Sequence, residues 1–386
     1  MESKTRIKGN VHYVGVNDRN KHRFEAMWPL PYGVSYNSYL IDDEMVALVD
    51  TVDICYFEVY LRKIKQVIGE RPINYLIINH MEPDHSGSIR LIKQHYPEII
   101  IVGNKQTFGM IEGFYGVTGE QYLVKEGDFL ALGHHKLRFY MTPMVHWPET
   151  MMTFDETDGV LFSGDGFGCF GTVDGGFLDT RINVDKYWGE MVRYYSNIVG
   201  KYGSPVQRAL QKLGGLPISA ICSTHGPVWT ENIAKVIGIY DRLSRYDADE
   251  GVVIAYGSMY GNTEQMAEAI AEELSAQGVK NIVMHNVTKS HPSYIIADIF
   301  RYKGLIIGSP TYSNQIFPEV EALLSKILLR EVKGRYLGYF GSFAWAGAAV
   351  KRLAEFAEKS KFELIGDPVE MKQAMKDLTY TQCENL

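Results

Sequence analysis

The sequence predicts an α/β protein of two domains, and three observations lead there. Through the first two thirds of the chain, short apolar runs alternate with turns and helical patterns. Past Gly251 the alternation of strand and helix becomes regular enough for a doubly wound parallel sheet. Between them, Asp241 to Gly251 is charged and lacks apolar periodicity, which sets domains 1–249 and 250–386. A chain of 386 residues is also too long for one ordinary core.

Taken in order, Tyr39–Ile41, Val46–Val49, Tyr75–Ile78, Ile99–Val102 and Lys136–Met141 read as strands, and Phe57–Ile68 has helical spacing. A hairpin runs Met151–Phe154, turns at Asp158-Gly159 and returns through Val160–Phe162. A helical stretch from Tyr187 to Lys212 then leads to the strand Ile218–Cys222. In the second domain the expected strands are Val252–Tyr256, Ile282–Val287, Leu305–Gly308 and Tyr336–Phe340. The helices between and after them are Glu264–Ala276, Tyr294–Tyr302, Pro318–Leu329 and Ala348–Lys359.

Chemistry concentrates in Asn79-His80-Met81-Glu82-Pro83-Asp84-His85-Ser86-Gly87, where four metal-capable residues have the spacing H-x-E-x-D-H. The stretch reads as a short loop between the strand Tyr75–Ile78 and a helix capped by Ser86 or Ser88. Three more donors, His146, Asp165 and His225, likewise follow predicted strands, which is how α/β layers gather a site. Imidazole mixed with carboxylate suits a transition metal better than calcium or magnesium alone. Seven donors exceed what one ion takes. Two ions sharing a carboxylate use them all, and Asp165 has two oxygens to divide between them.

Composition narrows the function classes. The chain is 46% apolar and 22% charged with a formal net charge of −7, which argues against nucleic acid or an anionic membrane as partner. No apolar run approaches the about 20 residues of a membrane span, and residues 1–10 show no signal peptide, so a cytoplasmic location is expected. Cys55, Cys169, Cys222 and Cys383 form no C-x-x-C pair and are expected to be buried, reduced thiols. His134-His135 is expected to be a solvated pair.

The donor pattern resembles the metallo-β-lactamase fold, an αββα layering whose hydrolases carry H-x-H-x-D-H before a later His, Asp and His. Here Glu82 stands at the second histidine, an anionic oxygen donor that favours iron over tetrahedral zinc. With the following domain, the whole chain resembles the flavodiiron proteins, or A-type flavoproteins. That resemblance implies His80, Glu82 and His146 on one iron, Asp84, His85 and His225 on the other, and Asp165 bridging. In some members the position matched by His85 is not a ligand. Trp147 is a candidate pocket wall, and Tyr195 resembles a family tyrosine near the metals that supplies a proton or hydrogen bond. Core packing is an equal reading for both.

In the second domain, Gly257-Ser258-Met259-Tyr260-Gly261-Asn262-Thr263 before a helix is neither G-x-x-x-x-G-K-[ST] nor G-x-G-x-x-G. Its small and hydroxylated residues at a helix N-terminus suit a phosphate monoester, and the stretch is similar to the flavodoxin phosphate loop. Two further loops, Ser309 to Asn314 and Gly341 to Gly347, follow the third and fourth strands. They supply Pro310, Thr311, Tyr312 and Asn314, and Ser342, Phe343, Ala344, Trp345 and Gly347, as candidates to hold flavin mononucleotide (FMN). Tyr312 and Trp345 are the stacking candidates.

The family resemblance implies reduction of dioxygen to water or of nitric oxide to nitrous oxide. It also implies a head-to-tail homodimer or homotetramer and an external donor, a rubredoxin or a reduced deazaflavin coenzyme. The competing reading is a zinc hydrolase fused to a flavodoxin-like module, which metal content separates from the first.

Overall fold

The computed structural model describes residues 4–386, and they pack as two units. The first joins the chain up to Tyr195 to Ser204–Asp241, and the second joins Ser196–Gly203 to Arg242–Leu386. No helix among the described residues is long and apolar enough to cross a membrane.

The first unit is built on two sheets. One runs in the order Arg6–Lys8, Val11–Tyr13, Tyr39–Ile41, Ala47–Val49, Tyr75–Ile77, Ile100–Gly103, Gln121–Leu123. The other runs Phe129–Ala131, Lys136–Met141, Met151–Asp155, Val160–Gly164, Ala220–Ser223. Ile41, Val49, Ile77 and Val102 of the first share one buried core with Leu137, Phe139, Phe162 and Cys222 of the second. The sheets therefore pack face to face. Helix residues take no part in that core, so helices bury their apolar stripes on the outer faces; Phe57–Ile68 does so with Phe57, Tyr60, Ile64 and Ile68.

Several local readings need correction. The ligand stretch is not a plain loop, because Pro83–Ser86 forms one helical turn with proline at its first position. Ser88 holds the N-cap position of the next helix, Ile89–His95, but without a side-chain capping bond: Ser88 Oγ donates to the Val52 carbonyl and Ser86 Oγ to that of Met81. The stretch from Tyr187 to Lys212 is not one helix. Asp185–Tyr194 and Gly203–Leu213 are α-helical, but Tyr195–Val199 widens to a π-turn and Gly200–Tyr202 tightens to 3₁₀. Cys55 is exposed, whereas the other three cysteines are buried. His135 is buried with its Nδ1 2.9 Å from Asp155 Oδ2, so only His134 is solvated.

The second unit holds a sheet in the order Ile282–Asn286, Asp249–Tyr256, Tyr302–Tyr312, Tyr336–Phe343, Glu363–Leu364, parallel throughout these pairs. Val369–Lys372 continues the last edge beside Tyr336–Phe343. This is the 2-1-3-4-5 order whose ligand crevice opens at the carboxyl ends of the first and third strands. The third strand is longer than the sequence predicts. It runs to Tyr312 and turns back through Ser313 and Asn314 into Gln315–Ile316, both turn residues having positive φ, 48° and 59°. Two left-handed residues make the two-residue turn that suits strand twist.

Candidate metal and flavin sites

All seven predicted metal donors converge. His80 lies three residues past the strand Tyr75–Ile77, Asp165 directly follows Val160–Gly164, and His225 lies two past Ala220–Ser223. His146 arrives on the longer connection after Lys136–Met141. At His225 the backbone needs the glycine that follows: Gly226 has φ +81°, and a Cβ there would lie 2.3 Å from Cys169 Sγ.

Asp165 sits between two sets of imidazoles. Its Oδ2 is 3.0 Å from His146 Nε2 and 3.7 Å from His80 Nε2. Its Oδ1 is 3.2 Å from His85 Nε2 and 3.4 Å from His225 Nε2, and accepts from the Thr224 hydroxyl. Glu82 Oε2 closes the first side at 3.1 Å from His146 Nε2, and Asp84 Oδ2 the second at 3.3 Å from His225 Nε2. His80, Glu82, His85 and Asp165 each offer a donor atom within 4.8 Å of the others, and so do Asp84, His85 and His225. Both Asp84 oxygens, both His85 nitrogens and His225 Nε2 are buried without a hydrogen-bond partner. Orphaned polar atoms at this density mark a place shaped for a cation. The donors fit one. Glu82 and Asp84 line a cavity of about 610 Å³, bordered also by Phe24, Pro83 and Phe114.

Acids and imidazoles in the cluster set one another's protonation. Burial opposes the imidazolium of His85, but Asp84 and Asp165 overcome it and push the pKa up to about 10. Burial likewise opposes Asp165 ionisation, yet His85 and His146 hold its carboxyl well below the usual range. For Glu82, His146 and His80 outweigh burial in the same way. Because folding raises the His85 pKa from 6.5 to about 10, metal-free protein gains stability from it below pH 6.5 and loses that gain as pH climbs toward 10. Glu82 and Asp165 titrate on the acid side of this window. Melting temperature of metal-stripped protein is expected to fall from pH 6.5 to 10, and that of metal-loaded protein to fall much less.

The sequence did not single out the residues that hold the donors. Glu149 Oε1 is 2.7 Å from His80 Nδ1, and His225 Nδ1 donates to the Ser35 carbonyl at 2.8 Å. Asn79 is clamped by Asp50, whose two oxygens accept its N–H and side-chain amide at 2.8 and 3.0 Å. The burial that marks Glu149, three residues past His146, is a property of the fold and not of the local sequence. Trp147 stands edge-on to His80 with ring centroids 5.2 Å apart. Tyr195 packs against Tyr240 at 5.0 Å. The preceding residue, Tyr194, lies 5.8 Å from the His225 ring, and its hydroxyl is buried without a hydrogen-bond partner.

In the second unit, the candidate flavin residues gather at the carboxyl ends of three adjacent strands. Ser258 to Gly261 turn into the 15-residue helix Asn262–Ala276, with Gly261 at φ +90°. Thr263 Oγ1 lies 2.9 Å from Ser342 Oγ, both nearly buried, so two hydroxyls meet at the helix N-terminus. Pro310, Thr311 and Tyr312 end the third strand, and Asn314 sits in its turn. Thr311 Oγ1 accepts from Ala348 and Ala349 N–H, tying that strand end to the start of the helix Ala349–Ser360. Ser342 and Phe343 end the fourth strand, with Ala344, Trp345 and Gly347 beyond it. Met259, Tyr260, Tyr312 and Trp345 are exposed, Tyr260 at 90% and Trp345 at 84%. Exposed aromatics around a hydroxyl-lined helix N-terminus fit a planar ring carrying a phosphate monoester.

Fold and site together define a class: a flavoprotein oxidoreductase with a β-lactamase-like metal domain joined to a flavodoxin domain. Residues 34–226 match the ODP family beta lactamase family and 254–385 match flavodoxin. The chain is 32% identical over 363 residues to the anaerobic nitric oxide reductase flavorubredoxin of Vibrio vulnificus, covering 92% of this chain and 73% of the relative. Rubredoxin oxygen:oxidoreductase from Desulfovibrio gigas superposes with a TM-score of 0.93 at 30% identity, covering 97% of this chain and 94% of that one. The flavodiiron protein from Giardia intestinalis also gives 0.93, at 27% identity with 97% and 93% covered. The chain belongs to the flavodiiron family.

Proposed function

We propose that this protein reduces dioxygen, nitric oxide or both at a pair of iron ions, with electrons arriving through FMN. The observation that carries the reading is Asp165, each of whose oxygens faces a different pair of histidines. His80, Glu82 and His146 would hold one iron, Asp84, His85 and His225 the other, and Asp165 would be shared between them. Three carboxylates in the set support iron rather than zinc, which prefers fewer ligands and tetrahedral geometry. The candidate set from Ser258 to Gly347 would hold FMN, with the Thr263 and Ser342 hydroxyls available to its phosphate.

When bound, iron supplies open positions and electrons for the gas, and FMN passes electrons onward. The chain's own residues do the rest. Glu82 and Asp84 border the cavity and define where the gas enters. Burial and then Asp165 raise the Tyr194 phenol well above its ordinary pKa, so it keeps its proton and acts beside His225 as a donor. Trp147 walls the His80 side.

Relatives at similar identity carry oxygen in one name and nitric oxide in another, so the names do not choose between the gases. Both names contain rubredoxin, which supports a rubredoxin-type donor; a reduced deazaflavin coenzyme is the other candidate. A cytoplasmic head-to-tail homodimer or homotetramer, one copy's flavin serving another's metals, belongs to the same reading. The test is to reduce the protein fully without air, mix it with each gas separately and follow flavin reoxidation over several turnovers. The faster gas is the substrate. Reoxidation no faster than that of free flavin with either gas contradicts the reading.

A further inference from the structure

The histidines on the two sides of Asp165 do not rest on equivalent partners. On one side, His80 Nδ1 faces a carboxylate, Glu149 Oε1, at 2.7 Å. On the other, His225 Nδ1 donates to a neutral carbonyl, that of Ser35, at 2.8 Å. Glu149 is 0% exposed, and its backbone is pinned because Asn104 Nδ2 donates to its carbonyl at 2.6 Å. Its Oε1 also accepts the Met81 N–H at 2.9 Å, while Oε2 is buried with no hydrogen-bond partner. A buried carboxylate with one unpartnered oxygen is costly unless its charge is used. Among the described residues, the imidazole hydrogen bonded to it is that of His80, whose Nε2 points to Glu82 and Asp165 at 3.6 and 3.7 Å.

We propose that Glu149 is a positioning residue that makes the His80 side of Asp165 the tighter of two metal positions. An anionic acceptor on Nδ1 keeps the proton there, leaves the Nε2 lone pair facing the metal and makes the imidazole a stronger donor. The neutral carbonyl behind His225 fixes the tautomer without that gain. His85 has no hydrogen bond at either nitrogen, so the second position is the less supported one. The inference rests on the two-metal reading above and adds an order of filling to it.

The experiment titrates metal-stripped full-length protein, FMN retained, with cobalt(II) without air, following the visible ligand-field bands. Wild type is expected to take up two cobalt ions with unequal constants. Glu149→Gln is expected to weaken the tighter step 10–100-fold, shift the bands of the first ion and leave the weaker step in place. Uptake of fewer than two ions by wild type defeats the two-metal reading itself. Two ions with both constants unchanged in the variant overturn the role of Glu149, and so does an equal loss at both steps, which a merely structural role predicts. Should the variant not fold, the wild-type zinc form labelled with nitrogen-15 histidine decides. The His80 Nδ1–H resonance is expected clearly downfield of the His225 one, and coincident resonances overturn the proposal.

Discussion

Asp165→Asn is expected to cost at least one of two metals per chain and on the order of 10³-fold in gas reduction. The magnitude follows from several kcal/mol of metal-supplied stabilisation at about 1.4 kcal/mol per tenfold. An amide has one acceptor where the carboxylate has two. Turned one way, its NH₂ group meets His146 Nε2, now 3.0 Å from Oδ2; turned the other, it meets the Thr224 hydroxyl that donates to Oδ1. Elemental analysis and gas consumption on the same sample check both parts. A variant that keeps full metal and turnover removes the bridge from the account.

Thr263→Val is expected to weaken FMN binding about 10–100-fold while leaving metal content unchanged. A hydrogen bond to a charged group contributes about 1.5–3 kcal/mol, a tenfold change in affinity for each 1.4. Valine keeps the shape but removes the hydroxyl and strips Ser342 Oγ of its neighbour at 2.9 Å. Fluorescence titration of flavin-free protein reads the change. Unaltered affinity places the phosphate elsewhere.

How much of this could be read from the chain varies with how local the cause is. The seven candidate metal donors that the fold brings together were legible because their chemistry and spacing single them out, and because they lie in segments that follow strands. The second sheet was legible because strand and helix alternate without interruption. That Tyr194 lies beside His225 could not be read from the chain: neighbouring helix residues point about 100° apart, and the π-turn at Tyr195–Val199 breaks the helical phase. His135 looked solvated because its partner, Asp155, lies across a strand pair that only folding creates. Glu149 has the same cause: nothing near it in sequence announces a contact with His80, 69 positions away. The helix Lys105–Tyr115 also escaped, although Asn104 at its N-cap and left-handed Gly116 at its end are local signals.

One carboxylate shared by two irons would leave a magnetic signature. Mössbauer spectroscopy of oxidised protein reconstituted with iron-57 tests for it most directly. Two high-spin ferric ions per chain are expected, coupled through a shared bridge into a state with no electron magnetic resonance signal. A single magnetically isolated ferric ion, or a site that takes zinc and refuses iron, contradicts that bridge.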